Sequence, residues 1–322
     1  MFKDVTADDV VAAARRLAGV ADLTPLVPSP ALAAHVGGEV LLKLECLQRT
    51  GSFKIRGAYN TLATLTDAQR ANGIVAASAG NHGLGCAWAA RELGMACVVF
   101  VPMNAPMVKQ RGIRELGATV DATAGDYDGA HALAVAQAEA SDATYVSPTD
   151  GDALFAGQGT VAKEILDARP DIRSLVVCVG GGGLLGGMGR YVKAVAPHVR
   201  VVGAQSDQTT AMAESVKAGR LVEVPVPPTL ADGLAGQIDA EGLAVGMSVM
   251  DEIVLVTEDE IGAAIAWMYR EHGVVVEGAG AVGVAAVRSG KLAHLAGPVA
   301  VVVSGGNIDG ERHSEVLARF PG

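Results

Sequence analysis

Leu175-Val176-Val177-Cys178-Val179-Gly180-Gly181-Gly182-Gly183-Leu184 is an apolar run that passes directly into four consecutive glycines. The apolar half reads as a strand buried on both faces, the pattern of a parallel sheet. Leu184, Met188, Tyr191 (or Val192) and Val195 then recur at helical spacing until Pro197. Four glycines form almost nothing stable alone, because each loses more backbone freedom on folding than any other residue. A tight strand–helix connection needs only one or two. A longer run suits a helix start where backbone N–H groups must crowd an anion, usually a phosphate.

Outward from this stretch, short β runs alternate with helical segments, which argues for parallel sheet with covered faces. Strands are expected at Val40–Leu44, Ile74–Ala77, Cys97–Val101, Thr119–Thr123, Ala143–Val146, Val201–Ala204, Ile253–Val256 and Val299–Val303. Helices are expected from Gly80 through Leu93, over Ala105–Leu116, Ala130–Ala140, Ala156–Ala168 and Glu258–Glu271, and after Ser52 as a cap, with Ile55, Tyr59 and Leu62 at helical spacing. The glycine-bearing turns fall just after strands, where open α/β sheets bind their ligands.

The second informative run is Gly51-Ser52-Phe53-Lys54-Ile55-Arg56-Gly57. Lys54 follows the expected cap, so the positive end of a helix disfavours its ammonium form and favours a reactive amine. Taken alone, Lys54 reads more simply as a solvent lysine in a first turn. A lone amine at a helix start together with a phosphate cup is what an enzyme needs to hold pyridoxal phosphate as a Schiff base. Ser78-Ala79-Gly80-Asn81-His82-Gly83 forms a strand–helix turn whose N–H groups can hold a carboxylate, while Asn81 can donate to a phenolic oxygen. Simple capping is the commoner use of such residues, and His82 alone reads as structural. Ser304 ends the Val299–Val303 strand and offers a hydroxyl to a ring nitrogen, or else is an ordinary turn residue. A rival reading takes Gly181-x-Gly183-x-x-Gly186 as a dinucleotide fingerprint, which makes the chain an oxidoreductase. That reading wants an acid near the end of the next strand, where Gln205 stands with Asp207 two residues later, and it leaves Lys54 idle.

Composition narrows the classes. The chain has 322 residues, half of them hydrophobic and 19% charged, so a substantial core is expected. The net charge of −10 disfavours a nucleic-acid partner. No apolar stretch reaches the roughly 18 residues of a membrane span, and Met1 to Val20 lacks a signal-peptide block. Cys46, Cys86, Cys97 and Cys178 show no C-x-x-C spacing, which favours free thiols in a reducing cytoplasm over a disulfide framework or a metal site. The seven histidines show no metal-ligand spacing.

In order along the chain, Thr24-Pro25-Leu26, Lys43-Leu44-Glu45, the Lys54 run, the Asn81 turn, Ala156-Gly157-Gln158-Gly159-Thr160, the four glycines, Leu230-Ala231-Asp232-Gly233, Glu277-Gly278-Ala279-Gly280-Ala281 and Ser304-Gly305-Gly306-Asn307 resemble the fold-type II pyridoxal-phosphate enzymes, in the threonine/serine dehydratase and serine racemase branch. The resemblance spans nearly the whole chain. It implies a two-domain, open parallel-sheet α/β fold like that of the tryptophan synthase β chain, with residues 1–51 and 148–322 forming a large domain and 52–147 a small inserted one. It implies Lys54 as the cofactor-bearing and catalytic lysine, Phe53 against the cofactor ring, Gly180, Gly181, Gly182, Gly183 and Leu184 around the phosphate, Asn81 on the phenolic oxygen and Ser304 on the pyridine nitrogen. The substrate carboxylate is expected on Ser78, Ala79, Gly80, Asn81 and His82.

The same resemblance narrows the reaction. Racemases of the branch carry a serine where this chain has Ala79, and metal-dependent members carry a Glu where it has Gln205; Ala211 likewise supplies no carboxylate. The expectation is a metal-free, β-eliminating ammonia-lyase acting on L-threonine, L-serine or a similar β-hydroxy amino acid. The alternatives are a racemase or a dehydratase of a larger modified hydroxy amino acid. The expected partner is a small amino-acid substrate, with no nucleic acid and no membrane, and a homo-oligomer stays open.

Overall fold

The computed structural model describes residues 5–321 apart from 79, 104 and 106, with the side chains of 108 and 109 also outside the description. The chain opens with helix α1 (Ala7–Leu17), strand β1 (Leu26–Pro28), the short α2 (Pro30–Ala33) and β2 (Val40–Leu44). A middle section follows: α3 (Lys54–Ala63), α4 (Asp67–Asn72), β3 (Ile74–Ala77), α5 (Asn81–Glu92), β4 (Cys97–Pro102), α6 (Met107–Glu115), β5 (Thr119–Ala124), α7 (Tyr127–Ser141) and β6 (Thr144–Tyr145). Then come α8 (Asp152–Ala168), β7 (Ser174–Cys178), α9 (Gly183–Val195), β8 (Arg200–Ser206), α10 (Ala211–Ala218), α11 (Ala240–Val249), β9 (Glu252–Val256), α12 (Glu258–His272), α13 (Gly278–Arg288), β10 (Val299–Val303) and α14 (Gly310–Arg319).

Two sheets result. The larger has the order β1-β2-β10-β7-β8-β9 and the smaller β5-β4-β3-β6. All neighbours in both are parallel except β1, which runs antiparallel to β2 and departs from the expected all-parallel pattern. The central strands β2, β10 and β7 are buried along their whole lengths, and only Lys43 and Ser174 interrupt their apolar composition. Their carboxyl ends point the same way, so Glu45, Ser304 and the glycines after Cys178 emerge together at one edge. β3 of the small sheet delivers Ser78 and the start of α5.

Helix α3 joins the two regions. It packs on α5 on one side and on α8 on the other. The α3–α8 crossing is a backbone contact: a Cβ on Gly157 would lie 2.5 Å from the Arg56 carbonyl and 2.7 Å from the Gly57 Cα. Such an approach holds the helix with little room for sliding.

Candidate active site

Lys54 is the first residue of α3, and Phe53 stands before it at φ −57° and ψ −17° with no side-chain cap. The expected Ser52 cap is not formed. Ser52 pairs with Gly305 in an antiparallel bridge, and its buried hydroxyl has no hydrogen-bond partner. The Phe53 N–H donates to the Ser304 carbonyl at 3.1 Å, so tertiary contact with the end of β10 sets the helix start. The half-buried Lys54 amine donates to the Pro148 carbonyl at 2.9 Å and lies 5.2 Å from the Phe53 ring centre. Loss of water around the amine pushes its pKa down to about 8.

The four glycines connect β7 to α9, with Gly182 at φ +101°, a left-handed backbone that side chains rarely adopt. Gly181 faces a different demand, because a Cβ there would lie 2.5 Å from the Thr149 methyl. Part of the glycine requirement is therefore protein packing rather than space for an anion. Gly186, the third glycine of the dinucleotide reading, faces α8: its Cβ would lie 2.6 Å from the Phe155 ring. Gln205, where that reading wants a ribose-binding acid, donates to the Thr209 carbonyl at 2.7 Å and accepts from the Ala213 N–H at 3.0 Å. Both ends of its amide are thus committed to the chain. No group of three or more His, Cys, Asp or Glu among the described residues is arranged to hold a metal ion.

Asn81 opens α5. Its Nδ2 donates to Glu277 Oε1 at 2.5 Å and its Oδ1 accepts from Asn307 Nδ2 at 2.7 Å. Ser78 Oγ accepts from the Gly80 N–H at 3.1 Å, which occupies one N–H of this turn. The buried His82 ring lies 2.9 Å from the Val146 carbonyl, and burial pushes its pKa down to about 3, so it is neutral and donates to that carbonyl. Its side chain is thus tied to the Val146 carbonyl. Ala79 lies outside the described residues. Ser304 is buried at the end of β10, and burial pushes the pKa of the Cys178 thiol up to about 11. Leu184 is buried in the first turn of α9.

Residue-by-residue reading misses a charge cluster behind this cleft. Arg56 sends Nε and Nη2 to Glu45 at 2.8 Å each, and Nη1 and Nη2 to Glu164 at 2.5 and 3.0 Å. Lys43 joins Glu164 at 2.5 Å and the Thr24 carbonyl at 2.7 Å. Burial alone would raise the Glu45 pKa, but Arg56 overrides it and holds the carboxyl below its ordinary value. The Lys43-Leu44-Glu45 and Arg56 portions of the sequence motifs could have signalled this cluster only by their charge complementarity.

The residues present fit pyridoxal phosphate. The amine on α3 is poised to become neutral, the glycine loop opens a helix N-terminus, and Ser52 and Thr50 keep buried hydroxyls without partners. Comparisons with known proteins agree. The profile of the pyridoxal-phosphate dependent enzyme family matches residues 17–305. L-threonine ammonia-lyase of Thermotoga maritima is 43% identical over 309 residues, covering 95% of this chain and 76% of that one. The catabolic L-threonine dehydratase TdcB of Escherichia coli K12 is 37% identical over 97% of this chain and 96% of its own. Among solved structures, maize serine racemase superposes with a TM-score of 0.93 at 29% identity, covering 99% of this chain and 98% of that one. The processed form of threonine deaminase isoform 2 from Solanum lycopersicum gives 0.90 at 30% identity over 97% and 86%. A match across this much of the chain, joined to an amine and a glycine loop at the ends of adjoining elements, makes the chain a member of the pyridoxal-phosphate dependent enzymes.

Proposed function

We propose that the protein is a β-eliminating ammonia-lyase (dehydratase) that converts L-threonine, L-serine or a similar β-hydroxy amino acid to a 2-oxo acid and ammonia. The observation that carries this reading is Lys54: an amine with its pKa lowered to about 8, at a helix start and donating to a neutral carbonyl. The named ammonia-lyase and dehydratase relatives support the reaction class. Residues 52–147, which carry the small sheet and Asn81, are taken as a small domain inserted into a larger one made of 1–51 and 148–322. A cytoplasmic setting belongs to the same reading, supported by four buried free cysteines.

Pyridoxal phosphate, when bound, supplies the electron-withdrawing ring that makes the substrate Cα proton removable. Lys54 is the residue that would hold the cofactor, and its amine, when free, would take the Cα proton. Gly180 to Gly183 and Leu184 would hold the phosphate through backbone N–H groups around the α9 start. Phe53 would lie against the ring, and Asn81 would donate to the phenolic oxygen. The Ser304 hydroxyl would face the ring nitrogen without enforcing its protonation as an acid would, which would favour loss of the β-hydroxyl over return of a proton to Cα. The turn from Ser78 to His82 takes the substrate carboxylate through backbone N–H groups. The β-hydroxyl would leave with a proton as water, and the enamine set free would tautomerise and hydrolyse to the oxo acid and ammonia.

Racemisation is the second reading, favoured by the close superposition on maize serine racemase. Incubation with L-serine and L-threonine, with oxo acid and D-amino acid both measured, separates the two. Oxo acid as the dominant product is expected. Abundant D-serine from the unmodified enzyme would replace elimination with racemisation, and turnover of neither substrate would overturn both.

A further inference from the structure

We propose that Glu277 and Asn307 are positioning residues that lock the Asn81 side-chain amide with an N–H, rather than its carbonyl, turned toward the phenolic oxygen of the cofactor. The inference rests on the cofactor reading of the cleft and adds two residues to it. An asparagine amide is nearly symmetric in shape, so packing cannot tell its two ends apart; hydrogen-bond chemistry must do so.

Here it does so from both sides. Glu277 is 5% exposed and its carboxylate can only accept, so the 2.5 Å contact requires the Asn81 nitrogen on that side. Asn307 Nδ2 donates at 2.7 Å to the Thr50 carbonyl and at 2.7 Å to Asn81 Oδ1, which uses both of its hydrogens. Reversing Asn81 would set an oxygen against the carboxylate and an NH₂ against an NH₂. Among the described residues, the lock leaves one hydrogen on Asn81 Nδ2 uncommitted. Glu277 also stands at the N-cap of α13, yet its side chain makes no capping bond there, and its backbone N–H is fixed on the Gly305 carbonyl at 3.1 Å.

Two motif glycines make room for this arrangement. A Cβ on Gly305 would collide with Glu277 Oε1 and lie 3.1 Å from Asn81 Nδ2, and a Cβ on Gly51 would collide with the Asn307 amide. Glycines in the Lys54 run and the Ser304 run thus serve the orientation of one side chain on a third element.

The test compares the wild-type holoenzyme with Asn81→Ala, Glu277→Ala, Glu277→Gln and Asn307→Asp by visible absorption and by titration of each apoprotein with pyridoxal phosphate. Asn81→Ala and Glu277→Ala are expected to move the visible band in the same way and to weaken cofactor binding about tenfold, the scale of one hydrogen bond. Glu277→Gln keeps an acceptor oxygen and should stay within about twofold of wild type. Combining Asn81→Ala with Glu277→Ala should add nothing to Asn81→Ala alone. If Glu277→Ala does not fold, Asn307→Asp carries the same test, because it removes both donors and leaves the carboxylate in place. A Glu277→Ala or Asn307→Asp holoenzyme with wild-type band and affinity, beside a shifted Asn81→Ala, overturns the inference alone. Losses that add in the double variant do the same. A wild-type protein that gives no visible band on titration overturns the cofactor reading and this inference with it.

Discussion

Lys54 and Arg56 are cations two residues apart in one helix, and the fold treats them in opposite ways. About 100° of turn per residue sends the two side chains to different faces of α3. Lys54 meets a carbonyl, and its pKa falls to about 8. Arg56, 1% exposed, meets two carboxylates, and its pKa rises above the ordinary value even though burial acts to lower it. Loss of water disfavours the charged form of both, and at Lys54 it prevails. At Arg56 the partners overrule it: paired carboxylates hold a guanidinium charged, whereas a neutral carbonyl brings no full charge to oppose desolvation. One face of α3 thereby carries an amine of lowered pKa and the other an ion-paired anchor.

The comparison breaks most directly at Lys54. Lys54→Ala should remove the visible cofactor band and lower turnover by about a thousandfold or more, with normal unfolding behaviour. A borohydride-reducible adduct on another lysine would contradict it. Arg56→Ala should show the reverse profile. It strands Glu45 in the interior, so urea unfolding should report a loss of about 3–5 kcal/mol. An Arg56→Ala protein of wild-type stability would mean that the cluster is not an anchor.

Acidity sharpens the contrast. Because the Lys54 pKa is lowered from 10.5 to about 8, the neutral amine predominates above about pH 8 and is lost as pH falls below it. The rate at which pyridoxal phosphate loads the apoprotein should therefore climb with pH by about tenfold per unit below that point and level off above it. A rate still climbing at pH 10 would mean an ordinary lysine. The smallest effect is expected at Glu164, whose side chain is 20% exposed and shares its charge with Lys43 and Arg56. Glu164→Gln should cost about 1 kcal/mol of stability by urea unfolding, since water screens part of the interaction. A loss as large as that of Arg56→Ala would move the weight of the anchor from Glu45 to Glu164.

The sequence was most legible where one physical demand acts alone. Strands β3 and β10 match their apolar runs, because full burial on both faces leaves no other composition open. It was least legible where a distant contact overrides a local rule. Ser52 has the chemistry of a cap, but pairing with Gly305 removes it from that position. Gly181 reads as space for an anion, and the neighbour that also requires it, Thr149, comes from another part of the chain. β1 spans three residues, too few to show a period, and α13 is buried on every side, so it presents no apolar stripe against a polar one. Within the candidate site, the glycine loop and Lys54 stand out by type and spacing. Glu45, Glu164, Glu277 and Asn307 do not, because ordinary polar residues become informative only once folding brings them together.

The acceptor of the Lys54 amine is a main-chain oxygen, that of Pro148. A side-chain acceptor can drift by mutation into a carboxylate that re-protonates the amine, or vanish altogether. A peptide oxygen has no such variants: every residue at position 148 carries one, and only a change in backbone path could withdraw it. The resting contact of the reactive amine is therefore shielded from single-codon change, and a lineage could alter much of the cleft lining while keeping it.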